Sequence, residues 1–263
     1  MNDLNHEVAS GRNDHRPDPK AGFHRFGSPP YIYDLAGKTI PWIGALAAMF
    51  FAYSLYGGLV QAPPDYEQGD SFRIIYVHVP SAWLSMLVYA MLAACGAITL
   101  IWRVKVVEAL GRAIAPIGAS YTFLALATGS IWGKPMWGTW WVWDARLTSE
   151  LILLFLYFGY MALQSAFSDR RSGSRASAIL ALVGVVNLPI IHYSVDWWNT
   201  LHQGATILKA EAPSMHISML IPLLTMVVAF HLHFLTVALM RLRCEILEDE
   251  KRKRWIQQLG INR

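Results

Sequence analysis

Long apolar runs separated by short polar segments form the main pattern of the chain. Six runs approach the length of about 20 residues that a helix needs to cross a lipid bilayer. They cover approximately residues 40–60, 82–102, 113–131, 150–167, 177–193 and 216–240. Proline and glycine interrupt the third run, and Asn187 and Pro189 interrupt the fifth, so we expect both helices to be bent. The pattern predicts an all-α, polytopic membrane protein with six transmembrane helices.

The composition supports this interpretation. Hydrophobic residues make up 54% of the 263 residues and charged residues only 15%, a balance too apolar for an ordinary soluble domain. The only two cysteines, Cys95 and Cys244, are too few for a disulfide framework or a cysteine-based zinc cluster. A small secreted scaffold is therefore excluded.

The basic residues indicate the orientation, because lysine and arginine in short loops accumulate on the cytoplasmic side of a membrane. With six spans and both termini cytoplasmic, 18 of the 22 basic residues lie inside. Those left outside are Arg73, Lys134, Arg146 and Lys209. The isoelectric point near 9.1 then reflects charge that faces anionic lipid headgroups, and we expect no nucleic acid partner.

Three regions follow from this topology. Residues 1–37 are predicted to be a disordered cytoplasmic extension, because their polar sequence lacks the apolar core of a signal peptide. Residues 38–245 form the six-helix transmembrane domain, and residues 246–263 form a cytoplasmic tail. The connections on the opposite face, at 61–81, 132–149 and 194–215, are then the place to look for a functional site.

Tryptophan is concentrated in these outer connections, which hold seven of the eleven in the chain. The seven are Trp132, Trp137, Trp140, Trp141, Trp143, Trp197 and Trp198. An aromatic belt at the lipid headgroups explains part of this enrichment, but a belt distributes tryptophan over both faces. The inner face offers little beyond Trp102 and Trp255, so the asymmetry favours a binding surface.

Indoles interleaved with Gly133 and Gly138 are suited to a large, planar, apolar ligand, and a porphyrin fits this description. Histidine is the usual axial ligand of porphyrin iron. His78 and His202 lie in the two connections that flank the tryptophan-rich segment, so we expect them to ligate the metal from opposite sides. Taken singly, a histidine at such a position is more often an ordinary interfacial residue than a metal ligand.

The remaining polar residues leave alternatives open. Arg146 is the basic residue next to the tryptophans, and it can bind porphyrin propionates or pair with Asp144. Asp144 can instead bond an indole N–H or a loop amide. We expect interfacial or supporting roles for the histidines at the outer ends of the last two spans, His192 and His216. His231 and His233 point in different directions on one helix, so they cannot chelate one metal together.

The stretch WGKPMWGTWWVWDARLTSE, followed by LILLFLYFGY, resembles the tryptophan-rich WWD signature of haem-handling membrane proteins, in particular the CcmC family of the cytochrome c maturation system. RIIYVHVPSAW and YSVDWWNTLHQGAT are similar to the two histidine segments of that family. The resemblance covers roughly residues 38–245. It implies six transmembrane helices in a bacterial inner membrane, with haem b held non-covalently on the periplasmic face.

Carried over by position, the resemblance places the iron ligands at His78 and His202. The WWD segment, 131–149, supplies the haem surface, to which we add Arg146 of the same segment and two tryptophans of the third outer connection. The surface then comprises Trp132, Trp137, Trp140, Trp141, Trp143, Asp144, Arg146, Trp197 and Trp198.

The resemblance also implies delivery of haem to the periplasmic chaperone CcmE, in a complex with CcmA, CcmB and CcmD. The chain has no phosphate-binding glycine loop, so any ATP hydrolysis would belong to partner subunits, and we expect no enzyme activity in the chain itself. Two alternatives remain: a transporter subunit that moves haem through the bilayer, and a bis-histidine b-type cytochrome that transfers electrons.

Overall fold

Helices account for nearly all of the part of the chain that the computed structural model describes, residues 23–198, 200–202 and 215–259. The eight α-helices in these residues are α1 (Pro29–Tyr56), α2 (Ile75–Trp102), α3 (Lys105–Trp137), α4 (Ala145–Ala166), α5 (Arg170–Gly184), α6 (Asn187–Trp197), α7 (Ile217–Glu250) and α8 (Arg254–Gln258). A π-helical turn at Gly57–Gln61 prolongs α1, and 3-10 turns precede α1 and α2. With α5 and α6 taken together, six helical segments are long and apolar enough to cross a membrane, which confirms the predicted fold class.

The first helix starts earlier than the boundary predicted at residue 38. It begins at Pro29, where two consecutive prolines occupy the first turn and favour helix initiation. Tyr33 and Ala36 are buried against the bundle, so this part of the predicted disordered extension is ordered. Residues 1–22 of that extension lie outside the described residues.

The last transmembrane helix is also longer than predicted. It continues to Glu250, beyond the predicted domain end at residue 245, because Leu242 and Ile246 remain buried beside Tyr33 and α3. The short helix α8 follows, and Ile256 on it is buried. Most of the predicted C-terminal tail is therefore helical and partly packed against the bundle.

The third and fifth apolar runs, both interrupted by proline, form different structures. The fifth run is broken, as expected, into α5 and α6 at Val185 and Val186, and Pro189 lies in the first turn of α6, where proline is tolerated. The third run is one continuous helix despite Pro116 in its interior. It continues to Trp137 and ends at Gly138, whose φ of 76° reverses the chain.

The helices pack as a bundle in which α1 lies along α7, α2 lies along α3, and α4 and α5 close the other side. The core is rich in aromatic residues, and Tyr76, Tyr89 and Tyr157 are fully buried. Gly118 allows the close approach of the Tyr157 ring, since a Cβ at this position would clash with it. The Tyr157 hydroxyl donates to the carbonyl oxygen of Ser85 at 2.8 Å, which joins α4 to α2.

Six crossings place the two ends of the described chain at the same end of the bundle, which we call the terminal end. The connections α2 to α3 and α4 to α5 are also at the terminal end. The connections α1 to α2 and α3 to α4 meet at the opposite end, together with the described residues of the connection α6 to α7. The tryptophan-rich segment and the two histidine segments therefore converge, as their spacing along the chain predicts.

Candidate functional site

A pocket of about 110 Å³ opens at the end of the bundle opposite the terminal end. It lies between α2, α3, α4 and α6, and the segment at 201–202 covers one side. The walls are mostly apolar, with Met86, Leu126 and Ile191 among them. Both predicted iron ligands, His78 and His202, line this pocket.

His78 is held by the neighbouring helix. It lies in the first turn of α2, and not in a loop as expected, because the helix begins at Ile75. Its Nδ1 is 3.1 Å from the carbonyl oxygen of Ala125 and 3.1 Å from the hydroxyl oxygen of Thr128, both on α3. The Thr128 hydroxyl is 2.6 Å from the carbonyl oxygen of Leu124, to which it donates, so Nδ1 faces two acceptors and must carry the proton. The Nε2 lone pair is then free to bind a metal.

The packing around His78 fixes the ring further. A Cβ on Gly129 would lie 3.0 Å from the imidazole Cε1, closer than ordinary van der Waals contact, so the ring would have to shift to accommodate it. On another side, the Trp132 indole meets the imidazole edge to face, with centroids 5.6 Å apart. The ring therefore has one orientation relative to α3.

His202 lies on a short segment that Asp144 tethers. The backbone N–H of His202 donates to the Thr200 hydroxyl at 3.1 Å, and that hydroxyl donates to Asp144. The other carboxylate oxygen of Asp144 accepts the backbone N–H of Leu147 at 2.8 Å, which caps the start of α4. The sequence left open whether Asp144 pairs with Arg146 or bonds an indole N–H or a backbone amide. In the described structure it bonds a backbone amide, that of Leu147, and forms no ion pair with Arg146.

The two imidazoles face the same space. Their centroids are 6.3 Å apart and their planes are inclined by 34°. An iron atom that bonds one nitrogen of each ring, at about 2 Å per bond, requires ring centroids roughly 6 Å apart. The spacing of the pair thus fits bis-histidine ligation of one iron.

The tryptophans divide into two groups. Trp132 and Trp137 belong to the last turns of α3, and not to a loop as expected, because α3 continues to Gly138. Both line the pocket, and Trp137 lies 6.3 Å from His202 between ring centroids. The Trp132 indole N–H donates to the side-chain oxygen of Gln68 at 3.0 Å, which fixes the first outer connection against α3.

The other five tryptophans lie outside the pocket wall. Trp140 and Trp143 are 56% and 77% exposed, and Trp141, beside Trp143, is partly buried. Trp197 ends α6 and stacks on Tyr193 with centroids 5.3 Å apart, and Trp198 follows it. The indoles therefore do not form one flat surface: two of them line the pocket, and five surround this end of the bundle.

The outer basic residues have distinct roles. Arg73 donates to the carbonyl oxygens of Gly58 and Ala62 and pairs with Asp70, so it closes the first outer connection. The Lys134 ammonium donates to the carbonyl oxygen of Gly138 at 3.0 Å. Lys209 lies outside the described residues. Among the residues the structure describes, Arg146 is the basic side chain that lines the pocket.

The sequence profile of the family described as Heme exporter protein C matches residues 22–257 of the chain. The chain belongs to the heme exporter protein C family. A relative of that name from Escherichia coli strain K12 is 52% identical over 240 residues, which are 91% of this chain and 97% of the relative. One from Haemophilus influenzae is 50% identical over 237 residues, 90% of this chain and 96% of the relative. One from Bradyrhizobium diazoefficiens is 48% identical over 236 residues, 90% of this chain and 89% of the relative.

One buried residue of the pocket, Glu150, was not predicted from the sequence. Glu150 lies at the base of the pocket, 8% exposed, and its carboxyl group is 2.7 Å from the Ser85 hydroxyl of α2. Arg146 lies one helical turn earlier and lines the same pocket. An acidic residue at the start of an apolar run is a recognised signal for a functional site in a membrane protein, and it was available in the sequence.

Four other histidines of this family member, in the described residues from 192 onward, form contacts between or within helices. The Trp83 indole N–H of α2 donates to His231 Nε2 at 3.3 Å. The Tyr121 hydroxyl of α3 is 2.8 Å from His233 Nδ1. His216 caps α7 by accepting the backbone N–H of Ser218, and His192 packs edge to face on Tyr193. These contacts connect α7 to α2 and α3, or stabilise helix ends, at positions outside the pocket.

Proposed function

We propose that the protein binds haem as cargo between His78 and His202 and hands it to a haem chaperone during cytochrome c maturation. The observation that carries this proposal is the imidazole pair, with ring centroids 6.3 Å apart. Membership of the heme exporter protein C family supports haem as the iron compound. In this function the imidazoles bind and orient the cargo, and the chain itself catalyses no reaction.

The size of the pocket supports release as well as binding. Its volume of about 110 Å³ is smaller than the roughly 300–1,000 Å³ of ordinary ligand pockets, so haem would be only partly enclosed. The exposed edge is then accessible to a partner protein. Neither of the two cysteines, Cys95 and Cys244, lines the pocket, so haem b would be held without a thioether bond.

The surrounding residues take two roles in this proposal. Trp132 and Trp137 contact the part of the macrocycle inside the pocket, and Arg146 pairs with a propionate. The part of the macrocycle that protrudes from the pocket would contact the other five tryptophans, Trp140, Trp141, Trp143, Trp197 and Trp198. Asp144 acts through Thr200, by holding the segment that carries His202.

The family and the resemblance also support a set of partners. We infer that the chaperone is CcmE and that CcmA, CcmB and CcmD complete a membrane complex in which other subunits hydrolyse ATP. The proposed location is the bacterial inner membrane, with the haem site facing the periplasm. This orientation rests on the basic residues, which are concentrated at the terminal end.

Two other functions receive less support. A transporter that moves haem through the bilayer needs ligating groups along a path, but His231 and His233 are bonded to Trp83 and Tyr121. A bis-histidine electron-transfer cytochrome usually holds its haem near the bilayer interior, whereas this pair lies at one end of the bundle. Rapid oxidation and reduction of bound haem by a redox partner would favour the cytochrome.

The test is the visible absorption spectrum of the purified full-length protein after haem loading. We expect His78→Ala and His202→Ala each to lose the low-spin bis-histidine spectrum and most of the bound haem. His192→Ala is the matched control, since His192 is at the same end but outside the pocket wall, and it should resemble the wild type. The proposal fails if both ligand variants keep the wild-type haem content and spectrum. Covalent transfer of haem to purified CcmE then tests delivery.

A further inference from the structure

A second cavity, of about 280 Å³, lies at the terminal end of the bundle, away from the haem pocket. Its lining comes from α3, α4, α7 and the first residue of α5. Three arginines from three different helices, Arg112, Arg170 and Arg241, face it, whereas Glu245 is the one carboxylate in the lining. The lining residues therefore carry a net positive charge.

Two carboxylates form ion pairs with the arginines of the lining. Arg112 pairs with Glu245 at 2.8 Å and with Asp249, and Asp249 also pairs with Arg170. Glu245 and Asp249 are thus both paired with Arg112 or Arg170. In the part of the chain that the structure describes, Arg241 has no carboxylate partner, and its Nε donates to the carbonyl oxygen of Ala113 at 3.1 Å. Its terminal nitrogens remain available to an anion.

Neutral donors complete the lining. The Tyr160 hydroxyl accepts a hydrogen bond from the Gln164 side chain at 3.3 Å, which leaves its own proton for a ligand. Tyr160 is almost fully buried, so this donor has a fixed position. Guanidinium groups on separate helices together with a phenol suit an anion that has several acceptor oxygens. The described lining contains no histidine or cysteine, so it offers no imidazole or thiolate to haem iron.

We propose that this cavity binds a phosphate group, from an anionic phospholipid headgroup or from a soluble phosphate compound. The basic residues concentrated at the terminal end attract either source. A bound phosphate would neutralise Arg241 and connect α7 to α4 and α5. The proposal is independent of haem binding at the other end of the bundle.

The first experiment uses the full-length protein in nanodiscs of phosphatidylcholine with a graded fraction of phosphatidylglycerol, and native mass spectrometry measures the lipid retained. We expect Arg241→Gln to retain phosphatidylglycerol at least tenfold more weakly than the wild type, and Arg241→Lys to retain an intermediate amount. Arg252→Gln is the control, because it removes one positive charge from an exposed turn at the same end. It should behave as the wild type.

The second experiment titrates inorganic phosphate into the protein in pure phosphatidylcholine nanodiscs and follows the melting temperature. Stabilisation of the wild type but not of Arg241→Gln, without selective retention of phosphatidylglycerol, would identify a soluble phosphate compound as the ligand. Selective retention of phosphatidylglycerol would identify the lipid. If Arg241→Gln matches the wild type in both measurements, the proposal is overturned. Equal losses in Arg241→Gln and Arg252→Gln also overturn it, because they indicate nonspecific charge attraction.

Discussion

The Nδ1 atom of His78 lies 3.1 Å from the carbonyl oxygen of Ala125, one helix away. A carbonyl oxygen can only accept, so this contact places the proton on Nδ1 and leaves the Nε2 lone pair for the proposed bond to iron. The same contact holds the ring in one orientation relative to α3. The helix α3 therefore positions the imidazole that α2 provides.

Replacing Thr128 should weaken this arrangement without removing it. Thr128→Val deletes the second acceptor of His78 Nδ1 and keeps the shape of the side chain. Loss of a partner behind a metal-bound histidine typically lowers affinity about 10–100-fold, and we expect an effect at the lower end because Ala125 remains. Haem titration followed by visible absorption measures the change.

Thr236→Val is a suitable control for Thr128→Val, since the Thr236 hydroxyl also bonds a carbonyl oxygen one turn earlier in its helix but lies far from the pocket. Equal affinities for all three proteins would show that Thr128 does not position His78.

Gly129 should tolerate no side chain. In Gly129→Ala the new Cβ would lie within 3.0 Å of the His78 ring, so the imidazole must tilt away from its place between Ala125 and the pocket. We expect a loss of bound haem and a shift of the spectrum towards single-histidine ligation. Gly44→Ala, where the Cβ meets only the Thr236 methyl group at 3.6 Å, should bind haem normally.

Helix propensity favours alanine over glycine by about 1 kcal/mol, so both glycine variants should fold. Normal haem binding by Gly129→Ala would contradict the tight packing around His78.

Asp144 and Thr200 should act as a unit. Asp144→Ala removes both the cap of α4, which costs about 0.5–2 kcal/mol of stability, and the tether of the His202 segment. Thr200→Val removes only the tether. We expect both variants to lose haem affinity, with the double variant little worse than Asp144→Ala, because the two substitutions break the same contact. A thermal melt separates the stability effect from the binding effect.

Fully additive losses of haem affinity in Asp144→Ala and Thr200→Val would show that the two residues act on haem independently. Asp144→Asn offers a further comparison, since asparagine is as good a helix cap as aspartate and should preserve the stability of α4.

Arg146 should recognise the propionates. Arg146→Gln is expected to bind haem roughly tenfold more weakly, because a charged hydrogen bond contributes about 1.5–3 kcal/mol. Haem dimethyl ester, which lacks the carboxylates, should bind the wild type and Arg146→Gln alike. Lys134→Gln serves as the control for charge. If Arg146→Gln binds the ester more weakly as well, Arg146 supports the pocket and does not select the carboxylates.

The sequence predicts the six spans well, since apolar runs of membrane length carry this information directly. It also predicts that His78, His202 and the WWD segment meet at one end. Helix ends are less predictable here. Trp132 and Trp137 lie beside glycine and proline, so the sequence suggests that they belong to a loop. They instead lie in the final turns of α3, which also accommodate Gly133 and Pro135.

The details of the site depend on contacts between residues distant in sequence. The approach of Ala125 and Gly129 to His78, and that of Ser85 to Glu150, require the packing of α2 against α3 and α4. No local pattern encodes these distances. The composition indicated which residue types a haem surface needs, but it could not separate the two indoles that line the pocket from the five outside it.

The first outer connection, between α1 and α2, is hydrogen-bonded both to the end of α1 and to α3. Arg73 bonds to carbonyl oxygens in and just after the π-helical turn that prolongs α1, and Gln68 on the same connection accepts the Trp132 indole N–H. If the proposed cargo displaced Trp132, the movement would reach the end of α1 through Gln68 and Arg73, and Tyr53 and Tyr56 near that end face outward from the bundle. We therefore expect this lateral surface to respond when the pocket is filled.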